Sequence, residues 1–291
     1  MVFNSLDNIK LLYIELASKV ICFIGYVEEG GGVRIIGAGY HASAGLKAGA
    51  VVDMEAAEDT IRHAVSKAEK TAGLAISSVY VNISSKSLKS RHINIETQFA
   101  SAEVADKDLR RVVDTAMAEF SQPEQAIIHA LPLNWTLDEA QGIRDPRGMC
   151  GRNLGVDMHF VTCKVGVLRN LAHCIERCHL RIAGMIASPY AAGEAVLVED
   201  ELDLGVTLVD MGAGITTVSV FRDRALIFVD ALGVGGNDLT RNIARDMTTP
   251  WEAAERIKAY YGSALDNTDV DKQLVPCPPM GAQDELHHEP I

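Results

Sequence analysis

A glycine-rich turn between two β-branched segments is the part of the sequence best suited to hold a phosphate group. Residues 210–217 are Asp-Met-Gly-Ala-Gly-Ile-Thr-Thr. Glycines let consecutive backbone amides approach an anion closely, because no Cβ blocks the way. We therefore predict phosphate contacts from Gly212, Ala213, Gly214, Ile215 and Thr216. The alternative is an ordinary β-turn without a ligand.

Asp210 stands just before this turn, at the end of a strand that the sequence predicts to be buried. A carboxylate in that place can hold a Mg²⁺-bound water or orient an attacking water. We predict that Asp210 is both the catalytic residue and the metal ligand, acting on Mg²⁺ through water. A solvated aspartate beside a turn is the alternative.

A second glycine loop precedes a helix, and backbone amides at a helix start form an anion site. This loop contributes Gly235, Gly236 and Asn237 to the predicted nucleotide site. The next helix begins at 249–252, Thr-Pro-Trp-Glu, which has the pattern of a capping box. It carries Glu255 and Lys258 on one face, either as a surface ion pair or as contacts to a ribose and an adenine edge.

The elements that must position these residues form a repeated pattern. The first unit comprises predicted strands at 11–25 and 33–37, a helix at 54–71 capped by Asp53 and Gly73, and a strand at 79–83. The second comprises predicted strands at 206–209, 216–221 and 226–230, followed by the glycine loop and its helix. This duplication predicts an α/β protein with the two-lobed, ribonuclease H-like architecture of actin.

A separate segment, residues 85–159, interrupts the first α/β region and has the character of an insertion. It contains a predicted strand at 93–97, a helix at 106–119, a strand at 126–131 and a run rich in Gly and Pro. The interrupted region resumes with a predicted strand at 160–163 and helices at 165–178 and 190–199.

Composition excludes several classes of protein. The net charge of −12 argues against a nucleic-acid surface, which needs clustered Lys and Arg. No run approaches the roughly 20 apolar residues that span a bilayer, and the N-terminus lacks the basic region of a signal peptide. We therefore expect a cytoplasmic, soluble chain.

Among six scattered cysteines, Cys174 and Cys178 lie beside His173 and His179, which predicts either a metal site or, more simply, buried thiols on a packed helix.

Taken together, these motifs resemble the family of the bacterial cell-division protein FtsA, a branch of the actin-like proteins, over nearly the whole chain. The first-domain loop from Gly37 to Asp53, the segment from Ser188 to Ala191 and the phosphate turn all fit that family. The most specific likeness lies in the insertion, at Pro132, Trp135, Asp138, Gly142, Ile143, Asp145, Pro146, Gly148, Met149, Gly151 and His159.

The resemblance implies a division of the chain into four regions. They are subdomain 1A (1–84 plus 160–203), an inserted SHS2-type subdomain 1C (85–159), part of subdomain 2A (204–273) and a linker toward subdomain 2B (274–291). In this scheme Trp135, Arg144, Asp145 and Met149 belong to the interaction surface of 1C. Subdomain 2B, the last adenine loop and a C-terminal membrane helix have no counterpart in the sequence, so we expect an incomplete second lobe.

The resemblance also implies a function. Family members bind ATP and Mg²⁺, polymerise head to tail, and link the FtsZ ring to the inner membrane and to later division proteins such as FtsN. The complete protein acts at the division septum, on the cytoplasmic face of the membrane, which it reaches through its C-terminal helix.

The first phosphate loop of the family maps onto residues 14–19 and implies contacts from Ser18 and Lys19. Leu16 and Ala17 stand where the family has Gly and Thr, so we expect hydrolysis to suffer more than binding. Three functions remain open on the sequence. They are a scaffold that binds ATP, an active ATPase or sugar-kinase relative that uses Asp210 as its base, and an interaction module that uses only 1C.

Overall fold

The computed structural model describes residues 11–16, 19–29, 32–99, 103–265, 274–280 and 287–290. Its backbone falls into two compact units, Met1–Asp210 with Ile215–Gly233, and Met211–Gly214 with Val234–Ile291. The four predicted region boundaries remain predictions.

The first part of unit 1 builds a five-stranded sheet and its covering helix. In chain order its elements are β1 (Leu11–Leu16), β2 (Lys19–Val27), β3 (Val33–Ala42), β4 (Leu46–Lys47), β5 (Ala50–Val51), α1 (Met54–Ala72) and β6 (Ser78–Ile83). Strands β1 to β3 form an antiparallel meander, and β6 lies parallel to β1. The predicted helix is confirmed with its caps, since Asp53 accepts a hydrogen bond from the Ala56 amide and Gly73 has φ 70°.

Helix α1 packs so closely on β3 that a side chain on the strand could not fit between them. A Cβ added at Gly39 would lie 2.0 Å from the Ala64 carbonyl oxygen. The buried face of α1 includes Ile61, Ala64, Val65 and Ala68, as its periodicity predicts. Glycine at this strand position therefore sets the distance between helix and sheet.

The inserted segment has its own strands, helix and hydrophobic core. Its elements are β7 (Lys89–Gln98), α2 (Asp106–Glu119), β8 (Gln125–Leu137), β9 (Ala140–Ile143) and β10 (Asn153–Lys164). Strands β8 and β10 are much longer than predicted. The ladder between them shifts register where Pro132 pairs with Met158, so a bulge accommodates the proline inside a continuous strand.

Strand β10 runs across the predicted end of the insertion at residue 159 and serves two cores. Met158 and Phe160 pack in the core of the insertion, together with Leu154 and Trp135. Val161 and Cys163 pack in the main core of unit 1. The change of core follows strand alternation, between Phe160 and Val161, and the ladder with β8 shifts register a second time one residue later, between Val161 and Thr162.

The chain then returns to the first sheet and continues into a second hairpin. The elements are α3 (Val165–Arg177), β11 (Arg181–Ala187), α4 (Ser188–Val196), α5 (Glu199–Leu204), β12 (Val206–Met211), β13 (Thr216–Arg222) and β14 (Ala225–Leu232). The prediction of one helix over 190–199 is wrong, because Leu197 is extended with ψ 139° and α4 ends before it. Acidic residues 199–201 then open α5, where they complement its N-terminal dipole.

Besides the short β4–β5 pair, two sheets organise the strands of unit 1. The first has the order β11-β6-β1-β2-β3, and the second β12-β13-β14-β7-β10-β8-β9. The hairpin half of the second sheet meets the inserted half at one ladder pair, Asp230 with Lys89, whose side chains also form an ion pair.

Unit 2 consists of α6 (Gly236–Asp246), α7 (Trp251–Tyr261), β15 (Leu274–Cys277) and β16 (His287–Pro290). Within the predicted linker, residues 274–291, β15 pairs with β16, and Val275 and Cys277 are buried against Ile257. The predicted capping box is wrong. Thr249 is buried and donates its hydroxyl to the Pro278 carbonyl at 2.7 Å, so it does not cap α7.

Candidate nucleotide-binding site

The glycine turn lies between β12 and β13, as predicted, and its own amides are open. Within the described residues, no hydrogen bond uses the amide of Gly212, Ala213 or Gly214. A Cβ added at Gly214 would have no atom within 4 Å. Consecutive unpaired amides with free space beside them are the donor set that a phosphate requires.

The loop before α6 holds this turn in place from behind. The Gly236 amide donates to the Gly212 carbonyl at 3.0 Å, and the Asn237 amide donates to the Ala213 carbonyl at 2.7 Å. A Cβ at Gly235 would lie 2.5 Å from the Gly212 oxygen. Only glycine permits this approach, so the loop and the turn form one rigid backbone arrangement.

These contacts change the role of the helix start. The Gly236 and Asn237 amides, predicted to hold an anion, are already bonded to the turn. The Gly235 amide donates to a side-chain oxygen of Asp238 at 2.9 Å, which also brings a negative charge to this helix end. The three predicted residues therefore support the phosphate turn, and the prediction of a separate anion site at their amides is wrong.

A buried hydroxyl joins the two helices of unit 2. Thr240 is fully buried, and its hydroxyl lies within hydrogen-bond distance of the Gly236 carbonyl and the Glu255 carboxylate. The Lys258 ammonium donates to the Gly236 carbonyl at 3.2 Å, to the Thr240 hydroxyl at 2.9 Å and to Glu255 at 2.8 Å. These bonds lower the pKa of Glu255, chiefly through Lys258.

This network determines which of the two predicted residues, Glu255 or Lys258, has atoms free to contact a ligand. All three ammonium protons of Lys258 have acceptors inside unit 2, whereas Glu255 is half-exposed and has a second carboxylate oxygen. Glu255 is therefore the better placed of the two to contact a ribose. Sequence reasoning missed Thr240. The sequence feature that could have pointed to it is its position one helical turn after Gly236.

Asp210 lies within β12, an edge strand, and is exposed. The prediction that this strand is buried is wrong, since Val209 is 55% and Met211 68% exposed. Ile215 is buried in the main core, and its side chain points away from solvent. Thr216 opens β13 and is half-buried. Strand alternation places the neighbouring Thr217 hydroxyl in the interior.

The predicted first phosphate loop lies partly outside the described residues, including Ser18 and Ala17. Lys19 begins β2, pairs with Ala42 of β3 and is exposed. Glu15 pairs with Ile21 across the β1–β2 hairpin.

The structure separates the four residues predicted to form the interaction surface of the insertion. Arg144, Asp145 and Met149 are exposed on the segment between β9 and β10. Trp135 is only 8% exposed, because it points into the core of the insertion, so its place on the surface is a wrong prediction. Arg147, which sequence reasoning missed, pairs with Asp145 at 2.8 Å and lowers the pKa of that carboxyl.

The cysteine pair on α3 is built into helix packing. Cys174 is buried, its thiol contacts the Met54 carbonyl oxygen, and burial raises its pKa to about 12. The Cys178 thiol contacts the Glu58 carbonyl oxygen at 3.6 Å, and burial raises its pKa too. Within the described part of the chain, no group of three or more His, Cys, Asp or Glu residues could hold a metal ion. Protonated thiols packed on α1 are therefore the better account of these residues.

Comparison with solved structures shows the fold. The structure of a PilM–PilN type IV pilus biogenesis complex matches with a TM-score of 0.61 and 18% identity, covering 88% of this chain and 71% of that one. The ethanolamine utilization protein EutJ of Carboxydothermus hydrogenoformans matches with a TM-score of 0.50 and 16% identity, over 89% and 64% of the two chains. The predicted α/β fold is confirmed as the actin-like ATPase fold, with an SHS2-type insertion.

Sequence comparison then gives the particular family. Residues 85–162 match the SHS2 domain inserted in FtsA, and residues 207–288 match the description "Cell division protein FtsA". FtsA of Agrobacterium fabrum is 41% identical over 278 residues, which cover 92% of this chain and 63% of the relative. FtsA of Escherichia coli K12 is 32% identical, over 95% and 66% of the two. The chain belongs to the FtsA family of actin-like proteins.

The chain thus spans a little under two thirds of the length of these relatives. Among the helices that the structure describes, none is both long and apolar enough to cross a bilayer.

Proposed function

We propose that this chain binds an adenine nucleotide with Mg²⁺ at the turn formed by Gly212, Ala213 and Gly214. The observation that carries the proposal is the set of consecutive open amides on a turn braced by the Gly235–Asn237 backbone. Amides held by such a brace bind phosphate without first losing conformational freedom, which favours affinity.

The residues present fit the ligand in part. The turn amides would contact phosphate oxygens, and the Glu255 carboxylate would accept from a ribose hydroxyl. Asp210 is the carboxylate that we assign to Mg²⁺, through water; bound Mg²⁺ would neutralise phosphate charge. The Lys258 ammonium already donates to Gly236, Thr240 and Glu255, so we assign it the role of positioning Glu255. The altered residues at 16 and 17 weaken the case for turnover, so we propose binding with slow hydrolysis at most.

Calorimetric titration of the 291-residue chain with Mg-ATP tests this proposal. Gly214→Ala places a methyl group beside the open amides without contacting the protein, and we expect it to weaken binding at least tenfold. Gly166→Ala is the matched control, because a Cβ there also meets no atom within 4 Å. Equal affinities for the two variants would exclude the turn as the phosphate site. Asp210→Asn should remove the dependence of affinity on Mg²⁺.

We also propose the family's scaffold role. The protein would polymerise head to tail and link the FtsZ ring to the cytoplasmic face of the inner membrane and to later division proteins such as FtsN. Membership of the FtsA family supports this role. Sedimentation of the chain with and without Mg-ATP tests self-association. A chain that stays monomeric at all concentrations, with or without nucleotide, would count against polymerisation.

A second function, an interaction module, is favoured by the insertion itself. It has a core of its own, and its exposed segment presents Arg144, Asp145 and Met149 around the Arg147–Asp145 ion pair. Binding of cytoplasmic peptides from later division proteins, compared between the parent chain and Arg144→Glu, tests this function. It would stand even if titration with Mg-ATP gave no heat.

A further inference from the structure

A half-enclosed recess lies in unit 1, between the sheet of the insertion and the tip of the β13–β14 hairpin. Its volume is about 310 Å³. That value is at the lower end of the range of ligand pockets, about 300–1,000 Å³, so the recess can take a side chain or a small molecule. The polar residues that line it come from β7, β8, β10 and the hairpin, and they are His92, Asn134, Asp157, Arg222 and Asp223.

Strand alternation turns polar residues of the insertion toward this recess. Met158 of β10 packs in the core of the insertion, so Asp157 and His159 project from the opposite face of the sheet. Asn134 of β8 is the ladder partner of Asp157, and His92 of β7 is the ladder partner of His159. The rings of His92 and His159 stack, with centroids 4.9 Å apart. Paired strands, and not a loop, therefore place the polar groups of this wall.

His92 and Asp157 present two hydrogen-bond acceptors to the same space. The Nε2 atom of His92 lies 2.9 Å from the Ile227 carbonyl oxygen, which can only accept, so Nε2 carries the proton of the neutral ring. Nδ1 then bears a lone pair, 3.9 Å from a carboxylate oxygen of Asp157. That distance is too long for a hydrogen bond, even from a protonated ring. No group of the described chain donates a hydrogen bond to either of these atoms.

The remaining polar groups make the recess favourable for a cation. Asp157 and Asp223 carry two negative charges, against one positive charge on Arg222. The Arg222 guanidinium lies 3.8 Å from the Asp223 carboxylate, and both side chains are well exposed. The Asn134 side chain has no hydrogen bond to any described residue and offers a further acceptor. A cation with several N–H donors is the ligand that would satisfy these groups.

We propose that this recess binds a guanidinium group, with Asp157 and the Nδ1 atom of His92 as its principal acceptors. A guanidinium presents five N–H donors in one plane, which suits acceptors on three neighbouring strands better than the three donors of an ammonium do. Its planar fork also matches the two oxygens of a carboxylate. Two sources carry this group, a small guanidinium compound and an arginine side chain of a peptide, and two probes distinguish them.

NMR titration of the full chain with methylguanidinium and with acetyl-Ala-Arg-Ala-amide tests the site. We expect each probe to bind once per chain and to shift the ring signals of His92. Equal affinities would support a small compound as the natural ligand, and at least tenfold tighter binding of the peptide would support an arginine side chain. Acetyl-Ala-Lys-Ala-amide should bind at least fivefold more weakly than the arginine peptide, because an ammonium reaches fewer of the acceptors.

Asp157→Asn keeps the shape of the side chain and removes its charge, and it should weaken the binding of both probes at least fivefold. Asp114→Asn is the matched control for net charge. Asp114 is exposed on α2, which packs on the other face of the insertion sheet, so this variant should bind as the parent does. His92→Phe is a second test of the site, because it keeps a ring beside His159 and removes the lone pair. It should also weaken binding.

Three results would overturn the proposal. The first is equal affinity of the parent and Asp157→Asn for both probes, in variants whose thermal midpoints equal that of Asp114→Asn. The second is equal affinity of the parent for the arginine and the lysine peptides. The third is the absence of any shift of the His92 ring signals with either guanidinium probe.

Discussion

Lowering the pH should destabilise unit 1 through one histidine, His159, which lies at the junction of the inserted strands and the β13–β14 hairpin. Its ring is fully buried, and Nδ1 donates to the Leu226 carbonyl at 2.7 Å. The Ser90 hydroxyl oxygen accepts from the Val229 amide at 2.6 Å and donates its own proton to His159 Nε2 at 2.7 Å. The ring is therefore neutral, and a second proton would break the bond from Ser90.

Burial lowers the pKa of His159 from its ordinary value of 6.5 to about 4. Because the folded pKa is the lower one, the unfolded chain binds more protons between pH 6.5 and 4. The stabilisation from neutral His159 is thus present above pH 6.5 and is lost as the pH falls through this window. The linkage gives a loss of about 2 kcal/mol between pH 7 and pH 4.5.

Urea denaturation of the parent and of His159→Gln, at intervals from pH 7 to pH 4.5, measures this contribution. At pH 7 the variant should be less stable by about 1–3 kcal/mol, because it leaves buried partners unsatisfied. The difference should shrink by about 2 kcal/mol toward pH 4.5, since only the parent loses this term. His173→Gln, on an exposed site, should follow the parent at every pH. A constant difference between the parent and His159→Gln would refute the assignment of the neutral ring.

Three further substitutions test other parts of the fold by urea unfolding or local hydrogen exchange. Asp53→Ala removes the N-cap of α1 and should cost about 1 kcal/mol, while Asp53→Asn should keep most of it. Leu154→Ala empties a buried position of the inserted core and should cost about 2–5 kcal/mol; a loss below 0.5 kcal/mol would contradict the packing. Thr240→Val should speed amide exchange in α6 and α7 by about tenfold or more, because the Lys258 ammonium and the Glu255 carboxylate lose a buried partner. Unchanged exchange would mean that the network does not hold unit 2 together.

Local sequence patterns predicted the helices well where a characteristic residue, such as a capping glycine, stands at the helix end. Helix α2 has its predicted bounds, Asp106–Glu119, and α1 ends at a glycine in the left-handed region. The strands of the insertion are longer than predicted, and the predicted span of β8 stops at Leu131, just before Pro132. The proline is tolerated only because the ladder to β10 bulges there, and the partner strand of a bulge cannot be recognised from one strand's sequence.

Burial was harder to predict than secondary structure. Trp135 was placed on a surface by its membership of a motif, yet the strand's alternation turns it into the core of the insertion. Val209 and Met211 look like buried strand residues by type, but β12 is an edge strand and both are exposed. Edge position depends on which strands pair with β12, and those partners are determined by tertiary structure.

The glycine loops show why a motif does not by itself identify the atoms that bind a ligand. Both the turn at Gly212–Gly214 and the loop at Gly235–Asn237 have the composition of an anion site. The hydrogen bonds of their backbone amides distinguish the turn from the loop, because an amide that already donates to a carbonyl has no second proton for a phosphate. The loop amides of Gly236 and Asn237 donate hydrogen bonds to carbonyls of the turn, and the turn amides remain open. A substitution in the loop should therefore act on nucleotide binding through the position of the turn, whereas Gly214→Ala should act on the ligand directly.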